Sequence, residues 1–452
     1  MALIPLLVLV LIALAVFAVI RGADVRLALF AAALVIAGVN GDITPVVREF
    51  LGTFSNEKFV VPICTAMGFA YVLKHTGCER HLVLLLVKPL RYARWLLVPG
   101  VVAVGFLVNI PVISQTSTAV CLGPVIIPLM RAAGYSMATI GACLLLGVSV
   151  GGELLNPGAP ELLTVFDKTG VLTTEQARRY LPPVVFTQLA VSAVVLWLLT
   201  LWWERGNRTG ATAEPVPALA EGEQPERINL LKALVPLVPL GLLFASGLPA
   251  PYNLFEVPDA WVALPKGGQR DPAYGSRLIG LAMLIGVGVA MLSTPSRSRE
   301  CVKQFFDGAG YGFANIISLI VTANCFGAAI RESGLVIELG RLIATFPRLM
   351  EPLAAFVPMV FAAVSGSGMA STQSLYGFFH EPAVALGFDP TAVGALVSVG
   401  SAAGRTMSPV AAVVLMCASL TGTRPIDLVK RVAPPLLIGL AVVIALRGTG
   451  IL

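Results

Sequence analysis

Two ionisable residues each lie in a long apolar stretch that a proline interrupts nearby. Glu153 lies in GVSVGGELLNPGAPE, which begins at Gly147, and Arg405 lies in SVGSAAGRTMSPVAA. An arginine at the centre of a membrane helix costs at least about 2.5 kcal/mol, so it must be solvated in a cavity or paired. The planar guanidinium is suited to a carboxylate, which can belong to the protein or to a substrate.

Two interpretations of these residues remain open. In the first, Glu153 and Arg405 pair with each other and brace the protein, as buried ion pairs often do without a functional role. In the second, Arg405 binds a carboxylate of the substrate, while Glu153 orients the site or carries a proton or a sodium ion. The two are compatible, because Arg405 can be held by Glu153 and still present one face to a substrate.

The prolines near both residues predict broken helices. A proline inside a helix removes a backbone donor and displaces a carbonyl, which frees groups that can bind a ligand or a cation. The first break lies at Asn156 and Gly158, and the second lies at Thr406 and Ser408. We therefore expect these residues to line the site.

Two further apolar segments, about 96–133 and about 351–387, are too long and too polar at their centres for one span each. Each predicts a re-entrant hairpin, because irregular backbone at membrane depth survives only where it lines a cavity or is buried in protein. Hydroxyl and amide groups at the centres can bind carboxylates as donors and sodium as acceptors. The predicted substrate-binding residues at the two tips are Ser114, Gln115, Thr116, Ser117, Thr118, Ser367, Ser371, Thr372 and Gln373. The predicted neighbours of a sodium ion are Ser117, Thr118, Asn156, Ser371, Thr372 and Ser408.

Composition places the chain in the membrane. It has 452 residues, of which 57% are hydrophobic and 12% are charged, against about 25% charged residues in soluble domains. The net charge of +6 comes from short loops and does not indicate nucleic acid. The seven cysteines show no metal-ligand or disulfide spacing, and no HExxH zinc motif or nucleophile–histidine pairing indicates an enzyme.

Polar and helix-breaking pairs recur along the chain. The pairs 76–77 and 333–334, 117–118 and 371–372, 134–135 and 387–388, 156–157 and 408–409, and 182–183 and 434–435 are 257, 254, 253, 252 and 252 residues apart by subtraction. The offset makes Glu153 the counterpart of Arg405. We predict an all-α membrane protein with two repeats of five spans and one hairpin, at 1–203 and 229–452, joined by a cytoplasmic linker at 204–228. An odd number of spans inverts the second repeat, and inverted repeats with broken helices are typical of secondary transporters.

The distribution of Lys and Arg residues predicts how the protein is oriented in the membrane. Eighteen Lys and Arg residues fall on one side of the predicted topology and twelve on the other, with Arg405 inside the membrane. The excess favours the first side as cytoplasmic, so both termini are expected outside. The apolar first twenty residues are interpreted as a span rather than a signal peptide.

The motifs GGELLNPGAPE (151–161), SGSGMASTQS (365–374) and GRTMSPVAA (404–412) resemble those of the DcuC-type anaerobic C4-dicarboxylate carriers of the ion-transporter superfamily. The resemblance covers nearly the whole chain. It implies an elevator transporter of the bacterial inner membrane, usually a homodimer, with the first three spans of each repeat as scaffold. Both hairpins and both broken helices would form the moving transport domain. Related dicarboxylate carriers have Ser-Asn-Thr at both tips, which this sequence lacks.

The expected function is transport of C4-dicarboxylates such as succinate, fumarate, malate or aspartate, by exchange or coupled to Na+ or H+. The alternatives are a related carrier of monocarboxylates or amino acids, and a cation or proton antiporter in which Glu153 carries the ion. No cofactor is expected.

Overall fold

The computed structural model describes residues 3–21, 23–88, 96–204, 228–246, 257–262, 273–334 and 347–451, and all regular structure in these ranges is helical. The all-α prediction is therefore confirmed for this part of the chain. The predicted linker 204–228 lies outside the described residues, apart from its first and last residues.

Helices of the first half begin at side chains that satisfy free backbone donors. Asp24, Asn56, Ser114 and Ser136 each accept a hydrogen bond from a backbone N–H in the following first turn. The helices are α1 (Leu3–Ile20), α2 (Val25–Asn40), α3 (Thr44–Phe54), α4 (Glu57–Thr76), α5 (Cys78–Val87), α6 (Leu97–Asn109), α7 (Gln115–Ala132), α8 (Met137–Ser149), α9 (Pro160–Thr169), α10 (Thr173–Glu175) and α11 (Leu181–Trp203).

The second half uses the same kind of cap at Asn229, Ser367 and Asp389. Its helices are α12 (Leu230–Leu234), α13 (Val238–Ser246), α14 (Asp259–Val262), α15 (Tyr274–Ser293), α16 (Ser298–Gly312), α17 (Ser318–Glu332), α18 (Met350–Ser365), α19 (Gly368–Ala385), α20 (Pro390–Thr406), α21 (Ala412–Thr421) and α22 (Pro425–Gly448). Short 3-10 or π turns lie at Gly152–Leu155, Gln176–Tyr180, Val235–Leu237, Pro295–Arg297, Phe313–Ile317 and Pro347–Leu349.

Within the described ranges, seven helical segments are long and apolar enough to cross a membrane. These segments are Glu57–Thr76, Met137–Thr169, Thr173–Trp203, Tyr274–Ser293, Pro295–Glu332, Pro347–Ser365 and Pro425–Gly448. Four shorter apolar helices, of 10–17 residues, lie at Arg26–Asn40, Leu97–Asn109, Leu230–Ser246 and Ala412–Thr421. Among the described residues, the full-length segments are thus fewer than the ten spans predicted, and one of them, Pro347–Ser365, belongs to the second predicted hairpin.

Both predicted hairpins form a helix, a short break and a second helix. The break lies between α6 and α7 in the first hairpin and between α18 and α19 in the second. The second helix of each pair has 18 residues, which is about 27 Å at 1.5 Å per residue. These arms are longer than the half-length helices that the sequence predicts, because the polar residues enter the first turn of the helix instead of ending it.

Both predicted helix breaks are present. α8 and α9 are separated by residues 150–159, and α20 and α21 are separated by residues 407–411. At the first break, every residue from 150 to 159 is buried. Protein rather than lipid therefore surrounds the irregular backbone of this break, as membrane proteins require.

Helix starts recur at the offset seen in the sequence. The starts of α6 and α18, α7 and α19, α8 and α20, and α9 and α21 are 253, 253, 253 and 252 residues apart by subtraction. Each hairpin thus precedes a broken helix in the same order in both halves.

Glycines allow the first arm of each hairpin to contact the following broken helix closely. In the first half, a Cβ added at Gly105 would lie 2.8 Å from the backbone of Gly147. In the second half, a Cβ at Gly400 or Gly404 would collide with backbone carbonyls of α18. A larger residue cannot occupy these positions without separating the helices.

Buried apolar residues form two clusters. The first includes residues of both hairpins, both broken helices, α11 and α22. The second is formed mainly by α1 to α4, α13 and α15 to α17. Most buried residues of the helices that carry the predicted site thus share one core, and the helices expected to form a scaffold share the other, to which Leu163 of α9 and Ala370 of α19 also belong.

Glu204 differs from its predicted place in the linker. It caps the C-terminus of α11 and is buried, with 4% of its surface exposed. Its Oε1 accepts hydrogen bonds from Ser136 (2.5 Å) and Thr139 (2.6 Å) and lies 4.0 Å from Arg431. A polar side chain next to a Gly-rich and Pro-rich segment favours a linker in the sequence, but here tertiary partners hold it in the protein.

Candidate functional site

The site is centred on an ion pair between the two broken helices. Nη2 of Arg405, in the last turn of α20, lies 2.6 Å from Oε1 of Glu153, in the 3-10 turn after α8. Both side chains are buried, with 8% and 1% of their surfaces exposed. The structure therefore contains the direct pairing of Glu153 and Arg405 that the first interpretation describes.

Further contacts fix the guanidinium on one side. Nη2 of Arg405 also donates to the carbonyl of Ser149 (3.0 Å), and Nε donates to its hydroxyl (3.3 Å). Nη1 makes no hydrogen bond with the described part of the chain, and it faces the start of α19, where a Cβ added at Gly368 would lie 3.4 Å away. The ion pair thus occupies part of the guanidinium and leaves one donor nitrogen facing the second hairpin.

Ser149 also binds Thr406, the residue after the arginine. The Thr406 hydroxyl donates to the Ser149 carbonyl (2.8 Å) and lies 2.8 Å from its hydroxyl oxygen. Thr406 is fully buried in these contacts. It therefore joins the two breaks.

The first hairpin is joined to the first break by two asparagines. The side-chain oxygen of Asn109 accepts a hydrogen bond from the backbone N–H of Glu153 (3.1 Å). The side-chain nitrogen of Asn156 donates to the carbonyl of Ile110 (2.9 Å), and its oxygen accepts from Gly158 N–H (2.9 Å). Asn156 and Gly158 therefore shape the break around the hairpin.

The hydroxyls at the first tip have different roles. Ser114 caps α7 through the N–H of Ser117, and its hydroxyl lies 3.2 Å from that of Thr116. Thr118 is buried and donates to two carbonyls of the tip. Gln115, Thr116 and Ser117 are only partly buried. These three, rather than Thr118, are the first-tip side chains that a ligand can reach.

The second tip contains buried side chains without partners. Ser371 is satisfied, because it donates to the carbonyl of Pro358 (2.7 Å) and accepts from Ser401 (2.9 Å). By contrast, Thr372 Oγ1 and both amide atoms of Gln373 are buried and have no hydrogen-bond partner among the described residues. Ser367 caps α19 through the N–H of Ala370. The tip therefore offers unused polar groups that a folded protein rarely leaves unpaired.

Ser408, the counterpart of Asn156, is also buried, and its hydroxyl has no partner. Oε2 of Glu153 is likewise buried and has no hydrogen-bond partner among the described residues. Among the described residues, no group of three or more His, Cys, Asp or Glu side chains could hold a metal ion.

Sequence reasoning missed two residues of this site. Ser149 and Ser401 each precede the ionisable residue of their repeat by four positions, so helical spacing together with the 252-residue offset could have identified both. Glu161, in the first turn of α9, is also buried, with 4% of its surface exposed.

Comparison with known proteins shows which family the chain resembles. The profile of the DcuC family, described as C4-dicarboxylate anaerobic carriers, matches residues 53–450. An uncharacterized transporter of Haemophilus influenzae is 27% identical over 63% of this chain and 96% of its own length. The Escherichia coli K12 anaerobic C4-dicarboxylate transporter DcuC is 23% identical over 83% of this chain and 77% of its own.

Solved structures agree on the fold. The Alcanivorax borkumensis YdaH transporter superposes with a TM-score of 0.60 over 99% of both chains, at 16% identity. The Neisseria gonorrhoeae MtrF efflux pump gives a TM-score of 0.58 at 15% identity, over 89% of this chain and 83% of its own. The chain therefore belongs to the DcuC family of anaerobic C4-dicarboxylate carriers, which are integral membrane transporters and not enzymes.

Proposed function

We propose that this protein carries C4-dicarboxylates of the succinate and fumarate class across the bacterial inner membrane, and that Arg405 binds one carboxylate of the substrate. The observation that carries the proposal is the free Nη1 of Arg405, which faces the start of α19 while Glu153 and Ser149 hold the rest of the guanidinium. A guanidinium oriented in this way is ready to donate to a carboxylate oxygen.

The remaining polar groups complete the proposed site. The partly buried side chains of Gln115, Thr116 and Ser117 supply donors from the first hairpin. Thr372 and Ser408 supply buried hydroxyls without partners from the second repeat. Burial of unpaired groups costs about 1–3 kcal/mol each, which a bound ligand or ion would recover. Sodium is proposed at hydroxyls such as these, with proton coupling as the alternative.

Glu153 is proposed to position Arg405 rather than to carry the transported ion. Its Oε1 is engaged at 2.6 Å by the arginine, and a carboxylate in such a pair gives up its charge only at a large energetic cost. A cation antiporter with Glu153 as carrier would need this pair to break in each cycle. The contact therefore favours the carboxylate carrier.

The division of the buried apolar residues into two clusters supports an elevator mechanism. The helices that carry the site share one cluster, and α1 to α4 share the other with α15 to α17. Movement of the first group as a unit would carry the site across the membrane without breaking its hydrogen bonds. A homodimer built on the second group, with both termini outside, completes the proposal.

The test is uptake of radiolabelled succinate into proteoliposomes under sodium, proton and counter-substrate gradients. Arg405→Gln should abolish uptake, whereas Arg178→Gln, an equal charge change at an exposed position, should not. At a succinate concentration of 100 Kd for the Arg405 site, binding at this site should stabilise the wild-type protein by about 2.7 kcal/mol, and Arg405→Gln should lose this contribution. Uptake of succinate by Arg405→Gln with normal affinity would refute the role of the arginine. Absence of uptake under every gradient would refute the substrate class.

A further inference from the structure

A cleft lies beside the Arg405 site. Its empty volume, including its open mouth, is about 490 Å³. It is lined by residues of four helices, with Thr164 and Lys168 on α9, Arg331 on α17, Gln373 and Ser374 on α19, and Phe59 at the start of α4. The cleft thus lies where the helices of the two hydrophobic clusters meet.

Two buried polar side chains of this cleft have no partner. Gln373 and Ser374 are 5% and 3% exposed, and neither the Gln373 amide nor the Ser374 hydroxyl makes a side-chain hydrogen bond. An unpaired buried polar group is costly, and most such groups in proteins are paired. Neighbours on the facing helices supply no partner, so these groups are available to a molecule in the cleft.

The charges around the cleft favour an anion. Nζ of Lys168 and Nζ of Lys58 each lie 3.4 Å from the carboxylate of Asp167. Nη2 of Arg331 lies 3.8 Å from Glu49, which is a long contact for an ion pair. Three cations therefore face two carboxylates, and the excess is one positive charge. Because these cations are partly exposed, they can reorient toward a ligand.

Helix α19 joins this cleft to the Arg405 site. Its first residue, Gly368, faces Arg405, and Gln373 lies five residues further along, about 7.5 Å at 1.5 Å per residue. Neither Arg405 nor Glu153 lines the cleft. Gln373, which the sequence predicts to bind substrate, lines the cleft.

We propose that this cleft is a second anion-binding site, where a substrate carboxylate binds Lys168 and Arg331 and the free groups of Gln373 and Ser374. The inference rests on the proposed function as a carboxylate carrier and adds a site on the route to Arg405. A dicarboxylate is the ligand class, because the cationic end of the cleft and the amide can bind its two carboxylates separately. Positive charge at the mouth would also speed the association of the dianion.

The experiment is scintillation proximity binding of radiolabelled succinate to the purified full-length protein, with the number of sites measured. The cleft variants are Lys168→Gln/Arg331→Gln and Gln373→Leu. We expect two succinate molecules per chain in the wild type and one in Arg405→Gln. In both cleft variants we expect one site with wild-type affinity, while the other weakens at least about tenfold.

The controls separate binding from folding. Arg178→Gln/Arg179→Gln makes the same charge change at exposed positions and should keep both sites. Gln373→Leu replaces an unpaired buried amide with an apolar side chain of similar size, so its thermal stability should equal or exceed that of the wild type.

The outcomes distinguish the two proposals. One succinate per wild-type chain, lost in Arg405→Gln and unchanged in both cleft variants, would overturn the cleft site and leave the proposed function intact. Binding that both cleft variants abolish and Arg405→Gln does not affect would support the cleft and overturn the role of Arg405. Absence of succinate binding to the wild type would overturn both.

Discussion

The ion pair between Glu153 and Arg405 can be tested by removing its members one at a time and together. Glu153→Gln keeps the size of the side chain and an accepting oxygen but removes the charge. Arg405→Met removes the charge and the donors while it keeps an unbranched side chain. The double variant removes both charges, so the three proteins and the wild type form a double-mutant cycle.

The structure sets the expected changes in the free energy of unfolding. Each single change leaves the other charge buried, since the side chains are 1% and 8% exposed, and breaking a buried pair in this way costs about 3–5 kcal/mol. Replacing both members leaves neither charge of the pair without its partner. The coupling energy should therefore be at least about 2 kcal/mol.

The measurement is the free energy of unfolding in mixed micelles as the fraction of sodium dodecyl sulfate rises. Two variants far from the pair, Arg178→Gln and Gly448→Ala, should unfold like the wild type, since Arg178 is exposed and a Cβ at Gly448 meets nothing within 4 Å. If the single effects add to within about 0.5 kcal/mol in the double variant, the two residues do not stabilise the protein through each other, and the reasoning fails.

Three further predictions concern the structure around the site. Gly404→Ala should destabilise the protein by at least about 1–3 kcal/mol, because the new Cβ collides with the carbonyl of Met359; a normal thermal midpoint would contradict this close contact. Asn156→Ala should cost about 1–3 kcal/mol and reduce succinate uptake at saturating substrate, because a hairpin carbonyl and a backbone N–H of the break lose their partner; unchanged uptake would argue against a role for the break. Burial opposes ionisation of Glu204, but hydrogen bonds from two hydroxyls and a nearby arginine outweigh it and hold its pKa below the ordinary 4.5. Its stabilisation is therefore present above pH 4.5 and lost as the pH falls through the lowered pKa, so the thermal midpoint of Glu204→Gln should depend less on pH from pH 6 to pH 3.5 than that of the wild type.

Much of the local structure could be predicted from the sequence. The prolines and small polar residues near Asn156 and Ser408 indicate helix breaks, because such residues interrupt backbone hydrogen bonding wherever they occur in a helix. Both breaks are present. The boundaries of the hairpin helices were less predictable, because Ser114 and Ser367 act as caps, so polar residues that resemble a loop begin a helix.

The roles of individual side chains depended on partners that are distant in the chain. Ser371 and Thr406 have the same chemistry as Thr372 and Ser408, yet the first two are satisfied by other residues and the last two are not. The type of a residue and its position in the sequence cannot show which of its side-chain atoms form a hydrogen bond. Glu204 likewise leaves the predicted linker only because Ser136 and Thr139 contact it.

The sequence by itself determined that this is a duplicated membrane protein and that Glu153 and Arg405 are counterparts, because hydropathy and the spacing of helix breakers are local properties of the chain. Only the tertiary structure decided that the two side chains meet at 2.6 Å and that one nitrogen of the arginine stays free. It also decided that Gln373 lines a separate cleft. The physical reason is that hydrogen bonds and ion pairs act over a few ångströms, so they are set by how helices 252 residues apart pack together.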